Sequence, residues 1–168
     1  MSRRVEVDAS RCTGCRACML TCSLRRTGEA RLSASAIRVV SSPDEGQHAP
    51  IVCLACSERP CIAACPVGAI VDAEETPLLD VERCIGCRAC VDACPYGAIG
   101  FDPVAGKAVK CDLCGGDPLC VKVCNAATTM PGALSVVEGP PTEASLQEAR
   151  RRRTEAASWR GGGQAHAG

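Results

Sequence analysis

Aromatic side chains are almost missing from this sequence: one Tyr (Tyr96), one Phe (Phe101) and one Trp (Trp159) among 168 residues. Large rings normally fill much of a core, so something else must organise the interior. Histidine is nearly as scarce. His48 and His166 fall in an expected loop and tail and read as solvated, not catalytic. No glycine-rich nucleotide fingerprint and no Ser/His/acid arrangement occurs, so an independent enzyme is not expected. No stretch approaches the roughly 18 apolar residues of a membrane helix, which excludes direct membrane insertion by that route. The N-terminal MSRRVEVDASRC carries neither an apolar signal segment nor a twin arginine followed by one. A cytoplasmic chain is the expectation.

What the chain has in excess is cysteine, sixteen in all. That density suits a disulfide framework or metal ligation, and a reducing cytoplasm favours metal. The cysteines fall into four groups of four. Cys12, Cys15, Cys18 and Cys22 lie in CTGCRACMLTC, spaced C-x2-C-x2-C-x3-C. Cys53, Cys56, Cys61 and Cys65 lie in CLACSERPCIAACP, with a longer middle gap. Cys84, Cys87, Cys90 and Cys94 repeat the first spacing and are followed by Pro95. Cys111, Cys114, Cys120 and Cys124 lie in CDLCGGDPLCVKVC.

The run C-x2-C-x2-C-x3-C-P is the pattern of bacterial [4Fe–4S] ferredoxins, in which the fourth cysteine ligates the other cluster of a pair. Three closely spaced thiols wrap one face of a cuboidal cluster. The fourth is expected to begin a helix or turn leading toward the neighbouring cluster. Gly14 and Gly86 fall where the backbone must approach sulfide closely or take unusual dihedrals. Zinc is the plainer alternative, but a zinc site uses two pairs of ligands and leaves a third closely spaced cysteine without a role.

The stretches IAACPVGAI (62–70) and VDACPYGAI (91–99) are an internal repeat. Their offset of about thirty residues is the length of half a ferredoxin. In each, Ala-Ile after Gly is expected to start a hairpin strand, and the polar VDAEETPLLD (71–80) to form a turn. The expected organisation is a first half of an outer module at 1–49, an inner two-cluster module at 50–103 and the second outer half at 104–140. A helical extension and flexible tail, 141–168, would follow.

On these sixteen positions the chain resembles the four-cluster polyferredoxins and iron–sulfur electron-transfer subunits of molybdenum- and tungsten-pterin oxidoreductases. The resemblance runs over residues 3–137. It implies an α+β fold of two bacterial-ferredoxin-like modules, one inserted in the other, with short strands and helices around four [4Fe–4S] clusters. It implies that Cys12, Cys15, Cys18 and Cys124 hold the first cluster, and Cys22, Cys111, Cys114 and Cys120 the second. Cys53, Cys56, Cys61 and Cys94 would hold the third, and Cys65, Cys84, Cys87 and Cys90 the fourth. The chain departs from the pattern at Ser23 and Asn125, which stand where a proline follows the fourth cysteine in the inner module.

The stretch CSLRRTGEARLSASAIRVV (22–40) is similar to a segment of small polyferredoxins that accompany tungsten aldehyde oxidoreductases, class II benzoyl-CoA reductases and some hydrogenases. This resemblance implies a non-catalytic subunit. It would relay electrons between a pterin-containing, aldehyde-oxidoreductase-type catalytic subunit and a second redox partner such as a flavoprotein. The alternatives are the iron–sulfur subunit of a hydrogenase, benzoyl-CoA reductase or dimethyl-sulfoxide-reductase-type complex, or a free polyferredoxin. Self-association into a longer wire is also open. Read plainly, the AIRVV run is a short strand with Arg38 facing solvent.

Charge is balanced overall, 19 basic against 19 acidic, but the first forty residues are basic and the middle acidic. Arg150 to Arg153 form a basic run without stacking aromatics and with Glu143, Glu148 and Glu155 interleaved, so no nucleic-acid partner is expected. Residues 141–160 read as a helix capped by Thr142, with a thin stripe of Ala144, Leu146, Ala149, Ala156 and Trp159. It is either a solvated appendage or a clamp on a neighbouring subunit anchored by Trp159. Arg88, Lys110 and Lys122 stand beside ligands. Each would raise a cluster potential if it reached sulfide, and otherwise is a surface charge.

Overall fold

The computed structural model describes residues 3–42, 44–74, 76–127 and 131–161. His166 and the rest of the glycine-rich end lie outside them. In chain order come β1 (Arg3–Val7), α1 (Ala17–Thr27), β2 (Arg38–Ser41), β3 (His48–Ile51), α2 (Pro60–Ala63), β4 (Ile70–Val71) and β5 (Leu78–Leu79). Then follow α3 (Ala89–Ala93), β6 (Gly100–Asp102), β7 (Lys107–Val109), α4 (Leu119–Ala126), β8 (Leu134–Glu138) and α5 (Glu143–Gly161). This is a mixed helix-and-strand fold of short elements.

The strands form antiparallel pairs. β1 pairs with β8, Arg3 opposite Glu138 and Val7 opposite Leu134, so segments far apart in sequence share one ribbon. α1 lies against α4 in the same region. Between them in sequence, β4 pairs with β5 and β6 with β7 as hairpins, β4 starting on the last residue of one copy of the internal repeat and β6 just after the other. β2 and β3 form a further hairpin, with Val39 opposite Pro50. β3 spans the expected division at 49/50, and the turn from β6 to β7 spans that at 103/104.

Two apolar clusters result. One gathers Val5, Met19, Ile37, Val39 and Leu134 around Cys18 and Cys120. The other gathers Ala49, Ile51, Ile70, Tyr96 and Ile99 around Cys61, Cys84, Cys90 and Cys94. The β2–β3 hairpin serves both, sending Val39 to the first and Ala49 and Ile51 to the second. Cysteine thus occupies the interior positions that larger apolar residues would fill in an ordinary small domain.

Two expectations are corrected here. Arg38 does not face solvent: it is half-buried and its guanidinium donates to the Gly97 carbonyl, tying β2 to the loop before β6. The C-terminal helix is not a free appendage, because it packs on its own chain. Thr142 caps it, its hydroxyl accepting from the Ser145 amide at 3.2 Å. Leu146, Ala149, Ala156 and Trp159 then pack on the second apolar cluster of the same chain, while Ala144 stays exposed. Ser145 donates to Glu6 of β1 at 3.2 Å, and Arg153 to the Cys94 carbonyl at 2.8 Å. α5 is therefore a strap laid on the second cluster and tied by Ser145 to β1. No helix among the described residues is long and apolar enough to cross a membrane.

Candidate metal centres

Each cysteine group folds by the same local device. The residue before the second cysteine takes positive φ in all four: Gly14 at 70°, Ala55 at 49°, Gly86 at 71° and Leu113 at 51°. Gly86 has a steric reason as well, because a Cβ there would meet the Gly106 carbonyl oxygen at 2.2 Å. Ala55 and Leu113 bear side chains in this region at a cost of roughly 1–3 kcal/mol each, a strain that concentrates at functional sites. Sequence reading singled out the glycines and missed Ala55 and Leu113. The available signal was their shared place immediately before the second cysteine.

The third cysteine, not the fourth, starts each helix. Cys18, Cys61, Cys90 and Cys120 are the second residues of α1, α2, α3 and α4, and all four are buried. Amide groups of the first turn lack helical partners there and favour a thiolate. The fourth cysteine follows four residues later, within α1 and α4 but just past the ends of α2 and α3, among a different set of neighbours.

Those neighbours define four gatherings. Cys12, Cys15, Cys18 and Cys124 line one cavity with Val39 and Leu134. Burial pushes the Cys18 thiol up to about 12, and the charges of Cys12, Cys124 and Cys15 add to it. Cys65, Cys84, Cys87 and Cys90 line a second cavity with Ile70 and Leu79. Burial raises the Cys61 thiol to about 11; Lys110 opposes this, while Cys53, Cys56 and Cys94 reinforce it. Burial raises Cys120 to about 12, with Cys22 and Cys114 next in effect.

Two junctions between gatherings are close enough for their charges to act on each other. Cys18 contributes to the rise of Cys120, which joins the two gatherings of the outer segments. Cys111 is raised by burial and then by Cys53, which joins outer to inner. Four thiolates facing each other in a half-dry site repel, and a cationic iron–sulfide core relieves that repulsion while satisfying soft sulfur donors. Among the described residues no three His, Cys, Asp or Glu side chains are placed to hold a single metal ion.

Backbone amides complete the donor environment. Ala69 donates to Cys65 Sγ at 3.1 Å and Ala98 to Cys94 Sγ at 3.3 Å, equivalent bonds in the two copies of the repeat. Ala36 reaches Cys22 Sγ and Leu113 reaches Cys111 Sγ, each at 3.4 Å. At Cys65 burial acts upward, yet the amides of Ala69 and Val67 together with their neighbours bring its pKa below the usual thiol value. These bonds favour the ligating form of the sulfur. The residues fit the cluster.

The three cations beside ligands part company. Arg88 stacks over the Phe101 ring, 3.9 Å from its centroid. Lys122 pairs with Asp117 at the surface. Lys110 is buried and points at sulfur. Cys15 and Cys87 are the exposed members of their gatherings.

Comparison with known proteins points to the same cofactor. Residues 45–134 match the 4Fe-4S dicluster domain family, and residues 9–28 a 4Fe-4S binding domain. Together with sixteen cysteines these fit about four [4Fe–4S] clusters. The polyferredoxin-like subunit of an aliphatic sulfonate oxidoreductase from Pyrococcus furiosus is 39% identical over 160 residues, 88% of this chain and 91% of that one. The thiosulfate reductase electron transfer subunit of Salmonella typhi is 33% identical over 132 residues, 70% of this chain and 68% of that one. Other relatives are longer, and the chain spans only 20% of one of them. Among solved structures, the BamBC active-site complex of benzoyl coenzyme A reductase with benzoyl-CoA contains a chain 26% identical with a TM-score of 0.49, covering 93% of this chain and 95% of that one.

Proposed function

The chain belongs to the 4Fe-4S dicluster domain family, as an iron–sulfur electron-transfer subunit of an oxidoreductase complex, and from this premise we propose a four-cluster wire serving a tungsten- or molybdenum-pterin catalytic subunit of the aldehyde-oxidoreductase type. Cys12, Cys15, Cys18 and Cys124 hold the first cluster, and Cys22, Cys111, Cys114 and Cys120 the second. Cys53, Cys56, Cys61 and Cys94 hold the third, and Cys65, Cys84, Cys87 and Cys90 the fourth. The first two lie in an outer module, 1–49 with 104–140, and the last two in an inserted module, 50–103. Bound there, the clusters supply one-electron transfer over potentials tuned by hydrogen bonds, charge and exposure.

The observation that carries this reading is the fourth cysteine exchanged between groups, Cys124 lining one cavity with Cys12, Cys15 and Cys18, and Cys65 another with Cys84, Cys87 and Cys90. Cys18 senses Cys12 and Cys124, Cys120 senses Cys22 and Cys18, and Cys111 senses Cys53. Donor sets this near one another suit transfer from one to the next. The chain itself positions the clusters, dries them with small apolar side chains and donates amides to their sulfurs. The relative named as a polyferredoxin-like subunit of a sulfonate oxidoreductase, similar over nearly its whole length, supports partnership with a further oxidoreductase subunit. A flavoprotein is the proposed second partner, and the cytoplasm the proposed location.

The test is anaerobic purification from the native cells under mild conditions, with identification of co-purifying chains and metal analysis. A large soluble subunit carrying tungsten or molybdenum with pterin is the expected result. A hydrogenase, a membrane anchor or the chain alone would overturn the partner assignment.

A further inference from the structure

Lys110 lies just after β7, immediately before Cys111 of the outer segment, and its side chain is among the most deeply buried in the molecule, 2% exposed. It does not stay with its own segment. Its ammonium donates to the Cys111 carbonyl at 3.2 Å, to Thr76 Oγ1 at 3.3 Å and toward Cys53 Sγ at 3.8 Å. An ammonium has three donors and no acceptor, so these contacts use all of its protons. Thr76 is itself buried and lies 3.9 Å from the same Cys53 sulfur. The backbone is pinned too, since Arg26 of α1 donates to the Lys110 carbonyl at 2.9 Å.

We propose that Lys110 is the electrostatic bridge of the wire, a buried cation set between the inner donor set of Cys53 and the outer one of Cys111, which favours the electron at the junction between modules. The argument is one of charge and place. Reduction adds a negative charge to a cluster, and a nearby cation away from water stabilises that state and raises the potential. Arg88 and Lys122 stand equally close to ligands in sequence, but one stacks on Phe101 and the other pairs with Asp117 in solvent. Lys110 alone of these three approaches a cysteine sulfur from inside the fold. The result is a middle of the wire more easily reduced than it would be with a neutral residue.

The proposal rests on the ligand sets above, and the experiment separates the two. Full-length holoprotein is titrated potentiometrically with EPR detection, alongside iron and sulfide analysis. Wild-type protein with iron for fewer than four clusters would refute the ligand reading, whatever Lys110 does. With that content established, Lys110→Gln keeps donors for Thr76 and the Cys111 carbonyl but removes the charge. It is expected to lower the reduction equilibrium constant of at least one cluster tenfold, a 59 mV negative shift for one electron. Lys110→Arg is expected to stay within twofold of wild type. Unmoved potentials in Lys110→Gln at full iron content overturn the proposal, as does loss of iron in both variants, which marks a packing role only. Loss of iron in Lys110→Gln alone, with Lys110→Arg at wild-type potentials, supports a need for the charge itself.

Discussion

The imidazole of His48 stands against Gly14: a Cβ built on the glycine would lie 2.4 Å from the His48 Cε1. The ring is held there by Ser41, whose hydroxyl lies 2.9 Å from Nδ1. The hairpin of β2 and β3 thereby braces the first cysteine loop, and φ of 70° at Gly14 adds a second demand for glycine. Gly14→Ala is expected to destabilise the holoprotein by about 1–3 kcal/mol from backbone strain, with the clash on top. In a double-mutant cycle with His48→Ala, only the clash should be relieved, giving a non-additive pair. Thermal unfolding of the four proteins measures the coupling, and additive values would dismiss the contact.

Ligand exchange between groups is the second expectation. Cys65 shares a cavity with Cys84, Cys87 and Cys90, not with the rest of its own run. Cys65→Ala and Cys84→Ala should therefore damage the same cluster. Each single variant, and the pair together, should lose about a quarter of the iron if a cluster with one missing thiolate is shed whole. Iron analysis showing additive losses in the double variant would rule out the shared site.

Removing the metal should remove the fold. The apolar clusters are built from small residues around buried cysteines, and burial holds several of those thiols well above their usual range. Without a core to neutralise them, they must stay protonated in positions shaped for ligation. Anaerobic chelation of iron is expected to abolish the cooperative thermal transition seen by circular dichroism. A transition that persists at the same temperature would mean the polypeptide core suffices.

The α5 strap has an acid-sensitive element. The Arg151 side-chain hydrogen bond, then the charges of Arg151 and Arg152, hold the Glu148 carboxyl below its ordinary value. A depressed carboxylate contributes stability that is present above its unfolded pKa and lost as pH falls through the folded one. The strap should therefore loosen in the acid range below about pH 4.3, the ordinary glutamate value, and more readily at high salt. Glu148→Ala leaves Arg152, which is buried, without its partner at 3.3 Å. The cost should be about 1–2 kcal/mol, below that of a fully buried pair, because Glu148 is 37% exposed. Hydrogen exchange of α5 amides across pH tests both statements.

The sequence by itself determined the local chemistry. Cysteines a few residues apart can only close small loops, so the positive φ at Gly14 and Gly86 and the donor type follow from spacing, whereas the helices start one cysteine earlier than the sequence suggests. The internal repeat likewise announced the hairpins that begin at Ile70 and Gly100, because a strand after a turn needs only neighbouring residues. Tertiary structure decided everything that depends on distant segments meeting. Arg38 reads as a solvent-facing strand residue until Gly97, 59 residues away, arrives to accept its hydrogen bond. Trp159 reads as the end of a free helix until the inner apolar cluster of its own chain packs against one side of it, leaving it half-buried. Lys110 was one of three equivalent cations in the sequence, and it became distinct because Cys53, 57 residues away, is packed against it. Spacing specifies which atoms a loop can offer; only packing specifies which distant charge stands beside them.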